Sequence, residues 1–170
     1  TSQIIRIDRL TPAATEVTHT LAGLSWNANN LELEVQRGDN ITGTALGILS
    51  MTSLTQNTGS RTYNYLTRPF ARVSWPSYNV SAGGVVVNHR GQGVLGQLNG
   101  TVLTTLSGTI FNQLGGGQLW LNGNNGTLQT TLNIDSGQLV LEGRQQVRII
   151  NLNGVGQVNP LDDTSFALSM

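Results

Sequence analysis

Apolar and polar side chains alternate one by one through most of this 170-residue chain, and the alternation breaks at a turn signal about every ten residues. Leu31, Leu33 and Val35 share one face of their segment, and Glu32 and Glu34 the other. The same period of two runs through Leu128, Thr130, Leu132 and Ile134, through Leu139 and Leu141, and through Val147 and Ile149. A period of two is the period of a β-strand, because successive Cβ atoms point to opposite faces. The breaks carry Asn-Gly pairs at Asn99, Asn122, Asn125 and Asn153, and both residue types tolerate the left-handed backbone of a turn.

These features predict an all-β fold: a single β-sandwich or jelly-roll-like barrel of about 8 to 12 short antiparallel strands with at most one short helix. The domain is expected over residues 1–160, with 161–170 as a C-terminal tail. Strands are expected at Ile4–Arg9, Leu31–Gln36, Ile41–Leu49, Arg61–Leu66, Ala71–Trp75 and Gly84–Asn88. The helix is expected near residues 11–24, where Pro12 suits a first turn and Leu10, Ala14, Val17 and Leu21 fall on one face, with a strand as the alternative because Thr15, Thr18 and Thr20 are β-branched. Residues 77–84 read as a long loop. The glycine-rich second half contains a loose repeat of short apolar pairs, but no fixed period emerges, so it is not read as a solenoid.

Charge is scarce: 11% of residues are ionic, the formal net charge is zero, and every basic residue is Arg. Between Gly91 and Leu141 the only charged side chain is Asp135. Direct nucleic-acid binding needs a basic patch to displace counterions, and none is visible. There is no apolar run long enough for a membrane-spanning helix. Cysteine is absent, which removes disulfides, thiolate metal sites and thiol nucleophiles. The first residues lack a basic segment followed by an apolar one, so a signal peptide is expected to be absent or already removed.

Several motifs invite chemistry and are answered by their context. Gly91, Gly93 and Gly96 spell G-x-G-x-x-G, but a dinucleotide site needs a helix next, and "QLNGTVLTTL" offers a turn and a strand. These glycines are expected in turns or close strand packing. Arg37-Gly38-Asp39 matches an adhesion tripeptide and also a hairpin turn. The sequons at Asn40, Asn79, Asn99 and Asn125 are no more than this Asn- and Thr-rich composition supplies by chance. Glu32 and Glu34 could pair as glycosidase carboxylates, yet their alternation with Leu describes a solvated face. His19 and His89 stand apart, and neither lies in a hydrolase motif. No catalytic residues, metal ligands or cofactor are therefore expected.

What remains points to assembly. The expected function is a structural subunit, foremost a small β-barrel coat protein of a virus or phage. It would associate with copies of itself or with a second structural subunit, at the virion or the cell surface. A cell-envelope or extracellular β module, or a carbohydrate-binding sandwich using Trp26, Trp75 or Trp120, stands as the alternative. Trp120 alternates with Leu119 and Leu121, so one face of its strand asks for cover. Ile5 and Ile7 near the start, and Phe166, Leu168 and Met170 at the end, are the expected docking side chains, because terminal tails seldom keep apolar residues without a partner surface.

Overall fold

The computed structural model of the chain describes residues 2–22, 32–52, 54–56, 62–80, 84–93, 95–104, 109–122, 127–142 and 146–160. Fifteen strands occupy these residues. They are β1 (Ser2–Ile7), β2 (Val17–Leu21), β3 (Glu32–Arg37), β4 (Gly47–Met51), β5 (Leu54–Gln56), β6 (Thr62–Thr67), β7 (Ala71–Val80) and β8 (Val86–Gly91). There follow β9 (Gln97–Thr104), β10 (Thr109–Gln113), β11 (Gln118–Leu121), β12 (Thr127–Ile134), β13 (Gln138–Leu141), β14 (Gln146–Leu152) and β15 (Gln157–Pro160).

The strands sort into two sheets. One runs β1-β3-β6-β8-β10-β12-β14 and the other β2-β4-β7-β9-β11-β13-β15, with β5 beside the end of β7. Every pairing between named strands is parallel. Antiparallel neighbours can be joined by a hairpin, whereas parallel ones need a crossover. Here the crossover of each sheet is a strand of the other, so the chain coils as a two-sheeted parallel β-solenoid. This corrects the expected antiparallel sandwich or jelly roll. A turn about every ten residues fits a solenoid corner as well as a hairpin, and only the pairing partner differs.

One register column traces the whole first sheet and is buried from Leu33 to Ile134: Gln3, Leu33, Tyr65, His89, Gln113, Ile134 and Leu152 are successive partners, 30, 32, 24, 24, 21 and 18 residues apart. The coils shorten along the chain, which is why no fixed repeat shows in the sequence. The facing column of the second sheet is Leu49, Val73, Leu98, Leu119 and Leu139, each at most 1% exposed. Between the sheets Tyr65 stacks on Trp75 with ring centroids 6.1 Å apart, and Phe111, Leu132, Leu121 and Leu141 fill the later coils. Burying each such side chain contributes roughly 1.5–3 kcal/mol.

Two local expectations are also corrected. Val17–Leu21, inside the expected helix, is a strand that pairs with β4 from Val17↔Gly47 to Leu21↔Met51. Its threonines, stiff at χ1, favour the extended backbone, and a ladder partner was present. Ser77–Val80, expected in a loop, continue β7 beside β5 and β9. The tail 161–170 lies outside the described residues.

Gly91, Gly93 and Gly96 are explained by stacked corners. Gln92 N donates to Thr67 O, Gly117 N to Gly91 O, and Gln138 N to Gly117 O, so each corner rests on the one before. A Cβ on Gly91 would meet Gly117 Cα at 2.6 Å, and one on Gly96 would meet Gln92 N at 2.6 Å. Gly93 has φ +67°. The G-x-G-x-x-G spacing thus serves corner packing, as expected, and leads from β8 into β9 rather than into a helix.

Candidate functional site

The outward faces of the two sheets carry most of the side-chain hydrogen bonding. On the first sheet Asn64, Asn88, Asn112, Asn133 and Asn151 stand in one column. Each Nδ2 donates to the Oδ1 of the preceding coil, at 2.8–2.9 Å: Asn88 to Asn64, Asn112 to Asn88, Asn133 to Asn112 and Asn151 to Asn133. On the second sheet Gln97, Gln118, Gln138 and Gln157 form a column of opposite polarity, each Nε2 donating to the following coil at 2.6, 2.8 and 3.3 Å. Its first acceptor, Gln97 Oε1, receives Arg72 Nε at 2.6 Å. An amide suits such a column because it donates on one side and accepts on the other. Sequence reasoning missed both ladders, although the recurrence of Asn at 64, 88, 112, 133 and 151 was a signal for them.

Among the polar side chains that face inward is His89, 1% exposed. Its Nδ1 lies 2.5 Å from Gln113 Oε1 and its Nε2 2.8 Å from Thr67 Oγ1. An amide oxygen can only accept, so Nδ1 carries the proton and Nε2 accepts from the threonine hydroxyl. Gln113 Nε2 continues the chain to Gly115 O at 2.9 Å. Burial depresses the imidazole to a pKa of about 4, against the bond from Gln113, which raises it. This histidine is a neutral core residue, closed off from any substrate. His19 is exposed on β2 at the far end of the molecule.

Glu32 and Glu34 do share the outward face of β3, but the solvated face expected of them is absent. Glu34 is 5% exposed and lies under Arg68, whose Nε sits 2.5 Å from its Oε1. That bond lowers the carboxyl pKa despite burial, with Gln36 assisting. Glu32 is 3.7 Å from Arg90. A carboxyl lowered in this way by a guanidinium, as that of Glu34 is, lacks the raised pKa of a general acid.

Arg37-Gly38-Asp39 forms the corner after β3. Arg37 Nη1 donates to Gly43 O and Ala45 O at 2.7 and 3.2 Å, and its guanidinium lies 4.4 Å over the Phe70 ring. Gly38 N donates to Ile7 O at 2.6 Å. Asp39 points out, 93% exposed at the side chain, to Arg6 at 2.5 Å. The arginine is thus fastened to its own turn while the aspartate projects from it.

The remaining candidates scatter. Leu119 and Leu121 are core, so Trp120 lies on the outward face beside Val140, half-buried, with Nε1 donating to Glu142 Oε2 at 3.1 Å. Trp75 is buried at 1% exposure, which removes it from any binding platform, and Trp26 lies outside the described residues. Ile7 is fully buried and Ile5 packs against the same core, so both are occupied by their own domain. Phe166, Leu168 and Met170 lie outside the described residues. Among the described residues no cluster of acidic, His or Cys side chains could hold a metal ion, and no helix is long and apolar enough to cross a membrane. No known protein family, curated protein or solved structure matches the chain.

Proposed function

We propose that the chain is a non-catalytic structural module, a stiff segment of a rod that works at the surface of a cell or a virion beside further copies or a second structural subunit. The observation that carries this reading is the pair of amide ladders. They run unbroken over five coils on one face and four on the other, and they commit the outward faces to holding coil on coil. The interior is filled by side chains from both sheets. The expected β-barrel shell subunit loses its premise with the correction of the fold, whereas stacked parallel coils suit a stalk or a spacer. Coil on coil adds about 4.8 Å of length, so the molecule grows along one axis without changing its cross-section.

Light scattering with electron microscopy of the full chain tests the reading. Homomeric assemblies, or attachment to a second structural protein in pull-down from the source, support it. A stable monomer that turns over a polysaccharide or nucleotide substrate would overturn it.

A further inference from the structure

The corner from β6 to β7 departs from every other corner described. Ala71 N donates to Arg68 O at 3.0 Å, and Pro69 occupies the second position of this turn. Phe70, in the third, has φ +60°, the single non-glycine residue at positive φ among the described residues. This is a type II turn, and its third position calls for glycine. Other corners do use glycine at positive φ: Gly93, Gly137 and Gly154. A bulky residue held in that region is a strain that persists only where surrounding structure enforces it, and such strain gathers at ligand sites.

Phe70 lines an open groove of about 610 Å³ together with Gln36, Arg37, Asp39, Thr42 and Arg68. Two guanidinium groups meet there in a chain otherwise poor in charge. Arg37 spends Nη1 on carbonyls, and Arg68 spends Nε on Glu34 and Nη1 on Gln92 Oε1. Nε and Nη2 of Arg37 and Nη2 of Arg68 have no partner among the described residues. A planar fork with unused donors is matched to a carboxylate. Beside it Pro69 and the Phe70 ring, one face of which lies under Arg37, offer an apolar surface, and Asp39, whose Oδ2 holds Arg6, offers Oδ1 as an acceptor for hydroxyl groups.

We propose that this groove binds an acidic sugar. The carboxylate lies between Arg37 and Arg68, the ring packs on Phe70 and Pro69, and the hydroxyls meet Asp39, Gln36 and Thr42. An acidic peptide uses the two arginines equally well but brings no ring hydroxyls to Asp39, Gln36 and Thr42. The proposal adds a ligand to the structural reading and does not depend on it, since the groove lies at a corner and leaves both amide ladders untouched.

The test is titration calorimetry of the full chain with tetragalacturonate, with a neutral dextran oligosaccharide and a tetraglutamate peptide as comparisons. Tetragalacturonate alone is expected to bind, more weakly as salt is raised. Phe70→Gly removes the ring and fits the positive φ, so its melting temperature should stay within about 2–4 °C of the parent or rise, while affinity falls at least about tenfold. Arg37→Gln should lower affinity likewise, with circular dichroism reporting its fold. Absence of tetragalacturonate binding, equal binding of dextran, tighter binding of the peptide, or full affinity in a folded Phe70→Gly or Arg37→Gln each overturns the proposal. Oligomer size, read in parallel, reports on the structural function separately.

Discussion

The first two coils cross from one sheet to the other through nine-residue corners, 8–16 and 38–46, tied down by Arg6–Asp39 and by Asp8 Oδ1 accepting from Asn40 N. The later coils cross in three to five residues, with glycines pressed against one another and side-chain amides in place of ions. The early coils are therefore individual, each held by its own contacts, whereas the later ones are held by sameness. Where neighbouring coils present like to like, an uncharged amide can serve every position, but a carboxylate or guanidinium stacked on its own kind would repel.

The largest effect should come from the interior of the later coils. Phe111→Ala removes a ring that is 1% exposed and should cost about 3–5 kcal/mol. Hydrogen exchange should then show strands β10–β13 opening before β3–β7. Uniform loss of protection along the chain would show that the two regions are one cooperative unit.

Acid should act next, through His89. Its folded pKa, about 4, lies below the usual 6.5, so folding favours the neutral ring. The stabilisation is complete above pH 6.5 and is lost as pH falls toward 4, amounting to about 2–3 kcal/mol by pH 4.5. Glu34 is also depressed, but from 4.5, so its loss begins below that pH. Urea denaturation between pH 7 and 4.5 should show the decline, and His89→Gln should flatten it.

Corner packing gives a smaller and sharper contrast. Gly117→Ala sets a methyl group against the backbone of Gly91 and should cost about 1–3 kcal/mol. At the adjacent Gly116 a Cβ meets nothing within 4 Å, so Gly116→Ala should stay within about 0.5 kcal/mol. Equal melting temperatures for the two variants would refute the glycine-to-glycine stacking of the corners. The smallest effect belongs to the ladders. Asn112→Ala breaks two mutual amide bonds and should cost about 1–2 kcal/mol, whereas exposed Asn151 contributes one bond and Asn151→Ala should cost under about 1 kcal/mol.

The positions and the inward faces of most strands were legible, because alternation depends on neighbouring residues alone. Leu33 with Val35, Leu132 with Ile134 and Leu139 with Leu141 face inward as their pattern required. Pairing was not legible. A strand bounded by Asn-Gly or Gly-rich breaks gives the same pattern whether its partner follows after one turn or after one full coil, and the drift from 32 to 18 residues per coil hid the second case. The same long-range register hid the groove. Arg37 was noticed in a corner motif, but Phe70 is brought beneath its guanidinium only because β6 lies on β3. Glu34 looked solvated because its cover, Arg68, comes from that next coil.

Opposed polarity in the two ladders bears on how such a molecule changes length. Each later coil brings one asparagine that donates backward and one glutamine that donates forward. Duplicating or deleting about one coil's worth of chain between Asn88 and Asn133 would leave every amide with a correctly oriented neighbour. Growth by copying is thereby neutral in hydrogen bonding, and selection can set the length of the solenoid by coil number while leaving the packing of each coil untouched.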